Sequence, residues 1–276
     1  MQLHSSLSAA PLLRVDSRTN IENCWDSNSL SFSCAANWAQ YKNWKNNRTI
    51  GDSYECVFSR IPKNKPITIF DRYGIPIDAN IQRFPDKEEP EYEFLRYVPT
   101  MLTPAMCFFS FENAIPNGHF HFEGTTANSS RFQLEKYAEY MGYTSSDAAF
   151  LYISDSLSFY RELQAQIPVA ISENKKNLTQ KRYYLSKIQN DSPLYGAKIC
   201  YDRHQRYDIF DELPNPPEEL FWKFPEYSLQ NEVRLIIPHW NFIQEYDMHH
   251  PGNYDRSKNY LRVHLPHLHD YARYIG

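Results

Sequence analysis

"SLQNEVRLIIP", residues 228–238, alternates polar and apolar side chains from Gln230 onward, the pattern of a half-buried strand. In extended backbone residues i and i+2 share a face, about 6.6 Å apart. Gln230, Glu232 and Arg234 therefore line one face, and Val233, Leu235 and Ile237 the other. Ile236 turns the polar face apolar, which puts Glu232 near the strand's start. Just before it runs the aromatic segment "FWKFPEYS" (221–228), broken by Pro225. One reading is a solvent-facing strand whose Glu–Arg pair contributes little. The other is a carboxylate at a strand entrance beside a loop, where it can meet a ligand.

Working outward, further strands are expected at "SLSFS" (29–33), "PITIF" (66–70), "PAMCFFSF" (104–111), "HFHFE" (119–123), "AKICYD" (197–202) and "YLRVHL" (260–265). The nearly continuous apolar run of 104–111 suits a central strand. Asp155 is placed to cap a helix carrying Leu157, Tyr160, Leu163 and Ile167 on one face. "FQLEKYAEYM" (132–141) and "NLTQKRYYLSKI" (177–188) also show helical spacing. Strands and helices mix without regular alternation, which favours an α+β fold with mainly antiparallel strands. The stretches at 85–93 and 213–219 read as exposed loops too short for linkers. Residues 1–276 are therefore expected to form a single domain.

Composition excludes several classes. The 276 residues are 42% hydrophobic with 21 Tyr and 17 Phe, but only 8 Gly. That is too apolar for disorder, and neither common Gly-rich phosphate loop occurs. A net charge of −4 with no long basic block does not suit a protein that tracks nucleic-acid phosphates. Five scattered cysteines include no C-x-x-C pair, so neither a disulfide framework nor a cysteine zinc site is indicated. No signal peptide or membrane-length apolar run is visible, and a soluble, reducing, cytoplasmic setting without membrane contact is expected.

A Q-x-E at the head of a strand, preceded by an aromatic turn, resembles the motif of ADP-ribosyltransferases of the Arg–Ser–Glu type. The resemblance implies an α+β, mainly antiparallel split β-sandwich with flanking helices, binding NAD as substrate in a cleft between two sheets. It implies that Glu232 holds a ribose hydroxyl and steadies the cation formed as nicotinamide leaves, with Gln230 helping to select the acceptor. Gln at 230 points away from arginine, towards an amide side chain or a nucleobase. Tyr227 or Phe224 matches the aromatic of the acceptor-recognising turn. Arg14 in "LLRV" matches the early arginine that holds the phosphates, with Arg18 and Arg60 as rivals. Ser110 in "CFFSFEN" matches the central serine at the nicotinamide end. The usual Ser-Thr-Ser triplet is absent, however, and Ser33 in "LSFS" competes for that position. "SLSFS", "GDSYE" (51–55), "CFFSF", "AKICYD" and "FWKFPEYSLQNEVRLI" together also resemble a bacterial family of unknown function with a late Q-x-E-x-R or E-x-E-x-R strand. That family has the look of toxin or phage-defence components, which implies a macromolecular acceptor, protein or nucleic acid, and a neutralising partner. With water as acceptor the same site is an NAD glycohydrolase.

Two other classes stay open. A metal-dependent nuclease would use Asp211, Glu212, Glu218 and Glu219 of "FDELPNPPEE" with Glu232, but Arg234 stands where a lysine is needed to steady the attacking water. His119 and His121, with Glu123, have zinc-like i, i+2 spacing but lack a helical H-E-x-x-H or a cysteine partner, so no metal is expected. The remaining alternative is a non-catalytic binding or sensor module of a defence system, presenting its aromatic surface.

Overall fold

The computed structural model describes residues 10–34, 36, 56–70, 76, 78–86, 88–110, 134–135, 137–139, 142–144, 146–180, 193–201, 218–221, 223, 228, 231–238, 240–242 and 260–276. These form an α+β fold in which every strand pairing is antiparallel. The strands are β1 (Leu12–Ser17), β2 (Ser29–Cys34), β3 (Val57–Pro62), β4 (Ile81–Pro85), β5 (Tyr92–Tyr97), β6 (Pro104–Ser110) and β7 (Ala148–Ile153), then β8 (Leu178–Gln180), β9 (Tyr195–Lys198), β10 (Glu232–Ile236), β11 (Trp240–Phe242), β12 (Leu261–His264) and β13 (Ala272–Ile275). The helices are α1 (Arg18–Asp26), α2 (Ser156–Glu173) and the short α3 (Leu268–Tyr271). Among the described residues no helix is long and apolar enough to cross a membrane.

The main sheet has eight strands and forks at β6. One edge of β6 carries β10 along its length, from Ala105 opposite Ile236 to Phe109 opposite Glu232. The other edge is divided. β2 takes the Pro104–Ala105 end, and β1 takes the Phe109–Ser110 end. Beyond the fork β2 continues to β12, while β1 continues to β7 and β13. β1 and β2 point the same way because both run against β6, and α1 connects them. Smaller sheets, β3–β5–β4 and β8–β11, complete the strand set.

The central run at 104–110 behaves as its composition dictates. Almost all of it is buried, because both faces of the sheet are covered there. Leu12, Met106, Phe108, Leu151, Ile153, Val233 and Leu235 point to one face and join the largest core cluster with Ile21 of α1 and Phe159, Tyr160, Leu163 and Ile167 of α2. Leu13, Val15, Phe109, Phe150 and Tyr152 point the other way, against Leu134 and Ala138. Asp155 caps α2 as its position suggests: its carboxylate accepts from the Ser158 backbone N–H at 3.1 Å and from the Ser158 hydroxyl at 2.7 Å. Losing such a cap costs about 1 kcal/mol. Asp155→Ala is accordingly expected to lower stability by that amount in urea unfolding, with an unchanged m-value.

Several expectations need correction. The Glu232–Arg234 face is not solvated: all five residues of β10 are buried. Leu157 is 39% exposed, and Phe159 takes the inward place beside Tyr160. "PITIF" makes only an isolated bridge, Phe70 to Pro76. The strand expected at 197–202 starts earlier, at Tyr195, and ends at Lys198. Leu178–Gln180, read as helical, pairs instead with Trp240–Phe242. "HFHFE" lies outside the described residues.

Candidate functional site

The backbone just before β10 is bent. Asn231 has φ of 40°, a left-handed conformation that Asn tolerates better than most residues. Its N–H donates to the Ser228 carbonyl at 3.1 Å, its carbonyl accepts from the Ser110 N–H at 2.9 Å, and its side-chain amide donates to the Ser110 carbonyl. The extended strand therefore starts at Glu232.

Glu232 is the centre of a buried charge cluster. Arg234 donates to its Oε1 from Nε at 3.0 Å and from Nη2 at 2.9 Å, so two charge-assisted N–H groups converge on one oxygen. Lys223 donates to Oε2 from Nζ at 2.5 Å. Glu232 is 6% exposed, Lys223 8% and Arg234 0%, so solvent does little to screen these pairs. The remaining Nη1 of Arg234 donates to the Leu220 carbonyl, and the Glu232 N–H donates to the Tyr201 hydroxyl at 2.9 Å.

Electrostatics hold the carboxylate ionised. Burial alone pushes its pKa up, but the charges of Arg234 and then Lys223, with hydrogen bonds from Cys107 and Lys223, outweigh it and pull the value down to about 2. The Cys107 thiol moves the other way: burial and the neighbouring Glu232 charge push it well above the usual thiol range. Glu232 is thus a fixed anion at neutral pH, and Cys107 is a protonated donor rather than a nucleophile.

The strands that bear Arg14, Ser110 and Glu232 lie side by side, β1 next to β6 and β6 next to β10. Their side chains do not share one cleft. Glu232 pairs with Phe109, and Phe109 with Leu13, so these three sit on one face together with Arg234 and Cys107. Ser110 pairs with Leu12, so Ser110 and Arg14 sit on the opposite face. Arg14 reaches across the fork, where its Nη1 donates to the Ser31 carbonyl at 3.5 Å and its Nη2 lies 3.9 Å from Asp16. The Ser110 hydroxyl is buried and has no hydrogen-bond partner among the described residues.

The rivals for these positions fare no better. Ser33 is on the Glu232 side of the sheet but at the other end of β10, across β6 from Ile236. Arg18, at the start of α1, donates to the Ser146 carbonyl and to the Tyr274 hydroxyl, each at 3.3 Å. Arg60 belongs to the three-stranded sheet and pairs with Asp86 at 2.9 Å and Glu89 at 3.0 Å. Gln230, Tyr227, Phe224, His119, His121, Glu123, Asp211 and Glu212 lie outside the described residues. Glu218 and Glu219 begin a 3-10 turn, Glu218–Phe221. Among the described residues no group of three His, Cys, Asp or Glu is placed to hold a metal ion.

Lys223 is the member that sequence reasoning missed. Its only signal was a single cation inside an aromatic segment, nine residues before Glu232. Compared with known proteins, the chain matches no family model, no curated protein and no solved structure.

Proposed function

We propose that the chain is an enzyme of the ADP-ribosyltransferase type, with a split antiparallel sandwich, that cleaves the nicotinamide–ribose bond of NAD. ADP-ribose would pass to a macromolecular acceptor or to water. The observation that carries this reading is Glu232: a carboxylate at the start of its strand, immobilised and ionised by Arg234 and Lys223. As nicotinamide departs, positive charge develops on the ribose, and a fixed anion stabilises that charge with no reorganisation at the moment of reaction. A pKa near 2 suits this role and not that of a proton donor, which needs a raised value. Adjacency of the strands bearing Arg14, Ser110 and Glu232 adds support. The side chains of Arg14 and Ser110 project from the reverse face and are left out of the proposed constellation.

A second reading has its own observation. Both oxygens of Glu232 already meet cations, as in an internal anchor that ties the Glu218–Lys223 segment to β10. In that case the chain is a non-catalytic binding module. The test is to incubate the full-length protein and cell lysate with NAD labelled in the adenylate, following nicotinamide release and macromolecular label. Release or transfer is expected, reduced about 100- to 1,000-fold in Glu232→Gln, the scale of losing one preorganised electrostatic group. A folded wild-type protein that neither releases nicotinamide nor transfers label sinks the enzyme reading and leaves the anchor. An active wild type with an equally active Glu232→Gln removes the carboxylate role alone.

A further inference from the structure

We infer that Lys223 is a positioning residue for the Glu232 carboxylate, an inference that rests on the NAD-cleaving reading proposed above. Glu232 meets its two cations differently. Arg234 stands two residues along the same strand and holds Oε1 with two N–H groups, which fixes the place of that oxygen. Lys223 comes from outside the strand and takes Oε2, which sets the direction of the second oxygen.

The lysine is itself held at its backbone. Its N–H donates to the Cys200 carbonyl at 3.0 Å, while the Cys200 N–H donates to the Phe221 carbonyl at 2.7 Å. Cys200 follows β9, which pairs with β10, and the Ile199 N–H donates to the Glu232 carbonyl at 2.9 Å. The lysine backbone and the carboxylate backbone are therefore registered through the same short stretch, Ile199–Cys200. A long side chain tied at its root in this way loses less freedom on pairing than a surface lysine does.

Stability alone does not call for this arrangement. Taking an ammonium and a carboxylate out of water costs about as much as their attraction returns, and apolar residues of similar size serve a core as well or better. What the charges add is a carboxylate with one orientation and one protonation state, which matters where a cation must form at a defined point. Among the described residues the groups facing Glu232 are Arg234 on its own strand, Lys223, the Cys107 thiol on β6 and the Tyr201 hydroxyl beyond β9.

The experiment compares wild type, Lys223→Met and Lys223→Arg by steady-state NAD cleavage from about pH 2 to 8, a range that contains the wild-type limb at about 2, with melting recorded for each. Removing an opposite charge from hydrogen-bond distance shifts a carboxylate by about 1–3 pH units. The acid limb of kcat is thus expected to move up by at least about one unit in Lys223→Met. A misaimed carboxylate costs up to about 100-fold in kcat. KM is expected to change little, and Lys223→Arg to restore both the limb and most of the rate. Wild-type kcat with an unmoved acid limb in Lys223→Met overturns the inference while leaving NAD cleavage intact. So does a Lys223→Arg variant as impaired as Lys223→Met at equal melting temperature, since that pattern marks packing rather than charge. A wild type without NAD cleavage overturns the underlying reading, and the inference with it. A Lys223→Met protein too unstable to assay is replaced by Lys223→Gln, with the acid limb as the deciding readout.

Discussion

Glu232→Gln is expected to lower unfolding free energy by about 3–5 kcal/mol at pH 7, the range for removing one partner of a buried ion pair. The amide keeps the shape but leaves the Arg234 guanidinium and the Lys223 ammonium buried without their shared counter-charge. The effect has a pH signature. The folded carboxylate has a pKa of about 2, below its unfolded value of about 4.5, so its contribution is fully present above that unfolded value. It fades as pH falls towards 2. Urea unfolding of both proteins from pH 7 down to pH 3 should therefore show the gap narrowing below about 4.5. A gap that is constant with pH would mean that shape, not ionisation, is what Glu232 supplies. The companion variant, Lys223→Met with Glu232→Leu and Arg234→Met, removes all three charges. It is expected to be near neutral or more stable than wild type, because no buried charge is left unmatched.

The second large effect is Phe159→Ala, expected to cost about 3–5 kcal/mol. Phe159 is fully buried and stands edge-on to Phe108 of β6, with 5.4 Å between ring centroids; Tyr160 and Tyr271 lie at 5.6 and 6.0 Å. It is a ring contact between α2 and the central strand, and truncation leaves a cavity lined by the neighbouring rings. Leu157→Ala, two residues earlier at 39% exposure, is expected to stay within about 0.5 kcal/mol. Thermal unfolding of the pair decides the point. Equal losses would mean that the helix is rotated relative to the orientation described.

These two sites show what was legible in the sequence. The strands at 29–34, 104–110, 232–236 and 261–264 were readable because alternation or a continuous apolar run left little else possible. The cap at Asp155 was readable because a short acidic side chain before an amphipathic run has a local meaning. Leu157 was misplaced because a helical stripe has soft edges: at about 100° per residue Leu157 and Phe159 flank Tyr160, Leu163 and Ile167 on opposite sides, and a small rotation exchanges one edge for the other. Leu178–Gln180 was lost to helix because so short a strand depends on its partner at Trp240–Phe242. The common cleft for Arg14, Ser110 and Glu232 failed for a sharper reason. The strands of Ser110 and Glu232 were recognised and Arg14 came only from the resemblance, yet the face a side chain takes depends on register between strands far apart in the chain, and a slip of one residue reverses it. Asn231 adds a local break that alternation cannot reveal. Lys223 carries no periodic signal of its own, and its role exists only once Ile199 and Cys200 bring it to β10.

The fork at β6 also has a consequence for how the chain acquires its shape. Completing both edges of this one strand needs Leu12 and Leu13, Ser33 and Cys34, and Glu232 to Ile236, so its partners are separated from it by about 70 to 130 residues on either side. Closing such distant pairings is slow relative to local helix formation. During synthesis β6 emerges long before β10 exists, with an apolar edge and no partner for it. In the interval between those two events the β10 edge of β6 is open to intermolecular strand pairing, a hazard of the nascent chain and not of the finished fold.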